Sequence, residues 1–299
     1  MVLIIERYKE IIQNYNEFLD AVKKPLIQTI RVNTLKITPS KLSRILTEKG
    51  WKLKPNKHFN IVFEVEDQLS IADTLEFYLG YFYIQEISSL IPVLALDPKA
   101  GEKILDLCAA PGGKTTFIAQ LMQNKGLVVA NDINFKRQRA LMANIYKLGV
   151  LNTIVTNFNG LFFPHKIEFD KVLVDVPCSA EANRIYDNKK NYVDTHFIKK
   201  ISGLQKGLLS KAVDLVKPGG IIVYSTCTFS PEENEEVVNY VLNKKNVKLV
   251  KIDLNIPHQK GLTRWQRKEF NQDLELCMRV YPHHLFSGGG FVAKLMKAK

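Results

Sequence analysis

KILDLCAAPGGKTTFIAQLMQN, residues 103–124, decides the fold. An apolar string the length of a strand ends on Cys108; small residues and a Pro-Gly-Gly turn follow, and a helix begins beyond them. Outward from this unit the alternation repeats. LVVANDI (127–133) reads as a strand, KRQRALMANIYKLG (136–149) as a helix, and TIVTNF (153–158) and KVLVDV (171–176) as strands. ISGLQKGLLSKAVDLVKPGG (201–220) reads as a helix closed by Pro218, Gly219 and Gly220, after which IIVYSTC (221–227) returns to the sheet. Such alternation predicts a doubly wound, mostly parallel sheet of Rossmann-like α/β class. Residues 1 to about 80 have a different texture, with short helical stretches around the extended IQTIRVNTLKI, and predict a small α+β unit.

Two strands end on a thiol. FDKVLVDVPCSAEA (169–182) delivers Asp175 and Cys178, and IIVYSTCTFSPEENEE (221–236) delivers Cys227. Ser230, Pro231 and Glu233 fit a capping box that would start a helix just after Cys227. A buried structural cysteine is the competing reading of either thiol alone. In open α/β sheets the C-terminal edge of the strands is where ligands bind, and Cys108, Asp132, Asp175, Cys178 and Cys227 all fall there.

The turn Cys108-Ala109-Ala110-Pro111-Gly112-Gly113-Lys114 lets a ligand approach the backbone, and the helix start beyond it offers free N–H groups. Gly113-Lys114-Thr115 resembles the end of a P-loop, but Cys108 stands where that motif needs a glycine, and no GxGxxG fingerprint is present. Asp132, at the end of the second strand, fits ribose hydroxyl recognition. An adenosyl ligand without a phosphate clamp is the better match.

The 299 residues are 46% hydrophobic, enough for one large domain and a smaller one. With no apolar run of about 18 residues and no leader-like N-terminus, the sequence predicts a soluble, cytoplasmic protein. Four cysteines without metal spacing read as reduced thiols, and the histidines show no metal spacing either. The net charge of +12 suggests a polyanionic partner. Residues 1–100 hold 13 basic and 12 acidic side chains, whereas residues 244–299 hold 12 and 4, so Lys260, Arg264, Arg267 and Lys268 are the better candidates for phosphate contact.

DLCAAPGGKT, DVPCS and YSTCTFSPEENE in one chain resemble the motifs of the nucleolar-protein/Sun (RsmB/RsmF-like) family of RNA (cytosine-5) methyltransferases. RVNTLK (31–36), GYFYIQEISS (80–89) and RVYPHHLFSGGGFVAKL (279–295) extend the likeness over nearly the whole chain. The resemblance implies S-adenosylmethionine as donor, with S-adenosylhomocysteine as product, and tRNA or, second, rRNA as partner. It implies a donor site of Cys108 to Lys114, Asp132, Asn159 and Asp175, with Cys227 as nucleophile, Cys178 in product release and Asp175 and Lys114 in the catalytic set. Arg31, within RVNTLK, joins the basic C-terminal residues as an expected RNA contact. A division into an RNA-facing unit, 1–85, and a methyltransferase domain, 86–299, follows.

The residue chemistry suits those roles. Cytosine C5 is a poor nucleophile until a thiolate adds at C6, and the C5 proton and the thiol must afterwards leave. Asp175 is placed for the N3/N4 edge of the base. Asn159 stands where the family usually carries Asp, and Ala180-Glu181-Ala182-Asn183 replaces an often glycine-rich stretch. A P-loop-like nucleotidase and a non-catalytic RNA-binding protein are the alternatives from other classes.

Overall fold

The computed structural model describes residues 3–66, 70–187 and 190–299. After helices α1 (Ile4–Arg7) and α2 (Tyr15–Val22), strand β1 (Gln28–Val32) begins the small unit. It continues through α3 (Pro39–Glu48), β2 (Lys52–Pro55), β3 (Val62–Glu66), α4 (Leu75–Tyr78) and β4 (Phe82–Ile84). The strands form an antiparallel sheet in the order β2-β3-β1-β4. Thr38 accepts the Lys41 N–H and Pro39 occupies the first turn, so α3 starts where its caps dictate. Its Leu42 and Leu46 bury against Ile30, Trp51, Phe63 and Phe82, which gives this sheet a core of its own.

Helix α5 (Ile91–Leu96) leads into the alternating region. There β5 (Lys103–Asp106), α6 (Gly113–Leu121), β6 (Leu127–Asn131), α7 (Phe135–Leu148), β7 (Thr153–Thr156) and β8 (Phe169–Asp175) follow one another. After the short α8 (Glu181–Arg184) come α9 (Thr195–Leu215), β9 (Val216–Thr226), α10 (Glu235–Leu242) and β10 (Val247–Leu249). The small strands β11 (Gln259–Lys260), β12 (Arg264–Trp265) and β13 (Lys268–Glu269) precede β14 (Met278–Val280), α11 (Pro282–Leu285) and β15 (Gly290–Lys297). The large sheet runs β11-β14-β15-β9-β8-β5-β6-β7; β5 to β9 are parallel, and β14, β15 and β10 add antiparallel pairs at the β9 side. The predicted doubly wound sheet is present. Because β5, β8 and β9 are adjacent and parallel, the segments that follow them emerge on one edge.

Two local readings change. Helix α9 stops at Leu215, and Pro218-Gly219-Gly220 lies inside β9, where the pairing with β8 shifts register between Phe169 and Lys171. Proline and glycine here accommodate a bulge rather than a helix end. Helix α10 begins at Glu235, not after Ser230; Ser230 donates to Glu232, and Glu233 turns inward.

The first residues do not pack with the sheet that follows them. Ile4, Tyr8, Ile12 and Phe18 lie in one core cluster with Val174, Tyr224, Phe229, Tyr281 and Phe291 of the large domain. Among the described residues no helix is long and apolar enough to cross a membrane.

Candidate active site

The loop after β5 turns sharply. Gly112 has φ +104°, and a Cβ there would lie 2.9 Å from Leu141 Cδ1, while one on Gly113 would lie 3.0 Å from Tyr83 Cε1. Both glycines therefore serve close packing, of the loop on α7 and of α6 on the small sheet. A cleft of about 360 Å³ opens between this loop, the ends of β8 and β9, residues 83–92 and the start of β15. Of the residues expected at the site, Cys108, Ala109, Ala110, Pro111, Gly113, Lys114, Asp175 and Cys227 line it.

Asp175 and Lys114 form the cleft's ion pair. Lys114 Nζ donates to Asp175 Oδ2 at 2.6 Å, and Ser225 Oγ donates to Oδ1 at 2.7 Å. Burial would lower the Lys114 pKa, but Asp175, with help from Cys227 and Asp106, raises it above the usual lysine value. The cleft thus keeps a fixed positive charge beside Cys227. Cys178 stands just behind, its Sγ 3.2 Å from the Sγ of Cys227. Contact with Cys227, followed by burial, pushes the Cys178 thiol well above the ordinary range. Burial likewise raises Cys108.

Two unpartnered acceptors face this cleft. Asp106 Oδ1 and Gln85 Oε1 are buried, line the cavity and meet no hydrogen-bond partner. Thr115 Oγ1 donates to the other Asp106 oxygen at 2.7 Å. Burial nevertheless lifts Asp106 to about 7, with Thr115 opposing and Asp175 reinforcing the shift. Buried acceptors of this kind need a ligand or water to satisfy them. A polar organic ligand with amine or hydroxyl donors fits.

Other expected residues do different work. Asp132 does not line the cavity: its carboxylate takes the N–H of Ala110 at 3.1 Å and of Asn134 at 2.8 Å, bracing the motif loop from behind. Asn159 is exposed and accepts the Leu161 N–H, its own local turn. Arg31 is only 1% exposed, so it does not face a partner. It donates to Gln120 Oε1 at 2.8 Å and Thr116 Oγ1 at 3.0 Å, clamping the small sheet to α6. Burial with no carboxylate in contact lowers its pKa to about 9. The basic C-terminal residues are exposed, but Lys260 pairs with Glu275 at 2.9 Å and Lys268 with Glu236 at 2.7 Å. Arg264 and Arg267 remain on the surface of the β12–β13 hairpin.

Sequence reasoning missed the walls contributed from far along the chain. Tyr83 in β4, Gln85 and Glu86 just after it, and Gly289, Gly290 and Phe291 at the start of β15 all line the cleft. Both stretches stood out as family-like segments, but nothing local in them announces a cavity. Glu233 was also missed. It accepts the Ser179 N–H at 2.9 Å, the Ser179 hydroxyl at 2.5 Å and Gln205 Nε2 at 2.9 Å, beneath both cysteine turns.

A six-residue glycine-bearing loop after β5 of a mostly parallel sheet, opening on a cleft at the strands' C-terminal edge, is the arrangement of a class I methyltransferase, the class of its solved structural neighbours. The family of the 16S rRNA methyltransferase RsmB/F matches residues 93–296, and the N-terminal domain of 16S rRNA methyltransferase RsmF matches residues 3–87. The chain belongs to this RsmB/F family. It is 37% identical over 303 residues to the tRNA (cytosine(49)-C(5))-methyltransferase of Pyrococcus abyssi, covering 99% of this chain and 96% of that protein. It is 43% identical over 292 residues to the 25S rRNA (cytosine-C(5))-methyltransferase nop2 of Schizosaccharomyces pombe, covering 94% of this chain but 48% of that protein. The chain spans less than half the length of such longer rRNA relatives. The crystal structure of NSun6 from Pyrococcus horikoshii with SFG, 26% identical, superposes with a TM-score of 0.87 over 99% of this chain and 98% of that one.

Proposed function

We propose that this chain methylates C5 of a cytosine in RNA, with S-adenosylmethionine as donor, Cys227 as nucleophile at C6 and Cys178 in product release. The observation that carries the reading is a thiol in the cleft wall beside Lys114 and Asp175, backed at 3.2 Å by a second thiol that the cleft does not reach. The unpartnered Asp106 and Gln85 oxygens fit the donor's amine and hydroxyl groups, and SFG, present in the neighbouring NSun6 structure, is an analogue of S-adenosylmethionine. When bound, the donor supplies an electrophilic methyl group.

The protein's own groups do the rest. The target base leaves its stack to enter the cleft. Cys227, with the Lys114 ammonium beside it, bonds to C6 as a thiolate and passes an electron pair to C5. Asp175, held by Lys114 and Ser225, is positioned for the N3/N4 edge of the ring. C5 takes the methyl group; water then takes the C5 proton, the freed electron pair restores the C5–C6 double bond, and the C6–sulfur bond breaks to free the base. Cys178, kept protonated by its raised pKa, is suited to give that proton to the departing Cys227 sulfur.

Transfer RNA is the first choice of substrate, because the tRNA relative is matched over nearly its full length while the rRNA relatives are matched in part. Arg264 and Arg267, exposed on the β12–β13 hairpin, are the proposed phosphate contacts, and of the expected 1–85 unit the small sheet, not the first helices that pack with the large domain, is the proposed RNA-facing part. The test is tritiated methyl transfer to separate tRNA and rRNA transcripts, with bisulfite mapping of the product. Transfer to neither, or a methyl group away from cytosine C5, sinks the reading; transfer to rRNA alone overturns the choice of substrate.

A further inference from the structure

Beneath the two thiols, four side chains form a line of oxygens. Glu233 Oε1 lies 2.5 Å from Ser179 Oγ, Ser179 Oγ lies 2.7 Å from Thr228 Oγ1, and Thr228 Oγ1 lies 2.8 Å from Glu181 Oε2. All four residues are buried. Each such contact between oxygens needs one hydrogen, so the line needs three. Ser179 and Thr228 supply two. Two ionised carboxylates would leave the third contact as bare repulsion between lone pairs, so one carboxyl must bring the missing proton.

The surroundings indicate which one. Glu233 accepts two further N–H bonds, from Ser179 and Gln205, which favour its charged form. Among the described residues, Glu181 accepts only the Tyr8 hydroxyl, at 3.0 Å, besides its contact with Thr228. The other charged or titratable groups facing the pair, among the described residues, are Arg7, which donates to Tyr8 and pairs with Glu232, then Glu232 itself, Tyr224, whose hydroxyl donates to the Glu233 carbonyl, and Cys178. Among the described residues no cation touches either carboxylate. The hydrogens therefore run from Glu181 through Thr228 and Ser179 to Glu233. Burial, the leading cause in both, raises the two carboxyls and holds Glu181 at about 7.

The line joins the residues that follow the two thiols. Ser179 succeeds Cys178 and Thr228 succeeds Cys227, so the hydroxyl contact at its centre sets one turn against the other. We infer that Glu181 and Glu233 share a single proton and act as positioning residues that fix the separation of Cys178 from Cys227. The inference rests on the thiol chemistry proposed above only for its effect on methyl transfer; the geometry it claims exists without RNA. Loss of the shared proton leaves two buried negative charges at the ends of the line, and the turns part.

Glutamine is the informative substitution, because its amide donates where a protonated carboxyl does and cannot lose that proton. The experiment measures two rates across mildly acidic to mildly alkaline pH for wild type, Glu181→Gln, Glu233→Gln and Glu181→Ala. One is single-turnover methyl transfer to a tRNA transcript. The other, without RNA, is formation of the Cys178–Cys227 disulfide with diamide, read by mass. Taking each variant's rate relative to wild type cancels the common ionisation of the thiols. For Glu181→Gln the ratio should stay near one in acid and climb about tenfold per pH unit once the shared proton has left the wild-type protein. Glu233→Gln should behave alike, and Glu181→Ala should be slow at every pH.

A glutamine ratio that does not move with pH in the diamide reaction overturns the inference. So does a wild-type infrared spectrum at neutral pH without a protonated-carboxyl band that either glutamine substitution removes, a measurement that needs no activity. If wild type methylates no RNA while the diamide ratio still climbs, the proposed function fails and the shared proton stands.

Discussion

The two thiol turns look alike in sequence, each an apolar strand closing on a cysteine, yet they are built differently. The Cys227 turn is anchored largely by the chain just beyond it: Thr226 donates to Asn234, Asn234 donates back to the Thr228 carbonyl, and the Tyr224 hydroxyl donates to the Glu233 carbonyl. The Cys178 turn is held mostly by distant groups, with Gln205 of α9 donating to the Pro177 carbonyl and Glu233 receiving the Ser179 N–H. Its own backbone also reaches across, since the Ala182 N–H donates to the Cys227 carbonyl. A self-braced turn carries the cleft-facing thiol; a borrowed one carries the thiol behind it. Equivalent motifs thus acquire different roles from which of them the cavity reaches.

The sharpest way to break this contrast is to remove each thiol. Cys227→Ala should abolish methyl transfer and form no covalent complex with RNA. Cys178→Ala should turn over poorly but accumulate a protein–RNA adduct that survives denaturing electrophoresis. The opposite pattern would exchange the roles of the two turns.

Next in size is the brace behind the Cys227 turn. Arg279 is fully buried, paired with Glu235 at 2.6 and 2.5 Å, and it also donates to the Phe229 carbonyl. Glu235→Ala leaves that guanidinium uncompensated and should cost about 3–5 kcal/mol in urea unfolding. A loss below about 1 kcal/mol would show that the turn does not depend on the pair.

The line joining the turns gives stability its own pH dependence. Glu181 titrates at about 7 in the folded protein, against 4.5 for a glutamate side chain free in water. Its folded pKa is the higher, so its contribution is whole below the unfolded value and is lost as pH rises through about 7. A shift of that size corresponds to about 3 kcal/mol. Glu181→Gln should flatten the fall in unfolding free energy across this window; an unchanged slope would place the titration elsewhere.

Smaller effects lie further from the thiols. Asp132→Ala should weaken S-adenosylmethionine binding by about 1–3 kcal/mol in calorimetry, because the motif loop loses its charged brace. Replacing Arg264 and Arg267 with glutamine should lower the salt dependence of RNA binding by about one unit of slope for each phosphate no longer neutralised, with donor affinity intact. An unaltered slope would identify the hairpin as an ordinary solvated face.

Most of the sheet was legible because strand, turn and helix at the motif loop each announce themselves within a few residues. Asp175, Lys114 and Cys227 were legible for the same reason, since strand ends in a parallel sheet converge on one edge. Arg31 misled because an arginine in a family-like segment reads as a surface cation, whereas it sits in β1 between buried Ile30 and Val32 and its partners Thr116 and Gln120 lie far along the chain on α6. Glu233 misled because a serine, a proline and a glutamate at capping distance satisfy a local rule that a buried network overrides. Gln85, Glu86 and Gly289 reach the cleft only through packing of whole elements, which no short stretch encodes.

The opening arm of the chain has a consequence for the order of synthesis. Tyr8 and Phe18 pack on Phe229, Trp265 and Tyr281 at ring separations of about 6 Å, and Gln259 exchanges hydrogen bonds with the backbone of Ile11 and Gln13. A ribosome releases this arm long before the residues around 229–281 that seat it. While elongation continues, an apolar helix must wait without its seat, exposed to chaperones and to other nascent chains. The small sheet, complete within residues 28–84, is free to form during that interval. Folding of the large domain therefore closes from both directions at once, with this arm among the last segments to find its place.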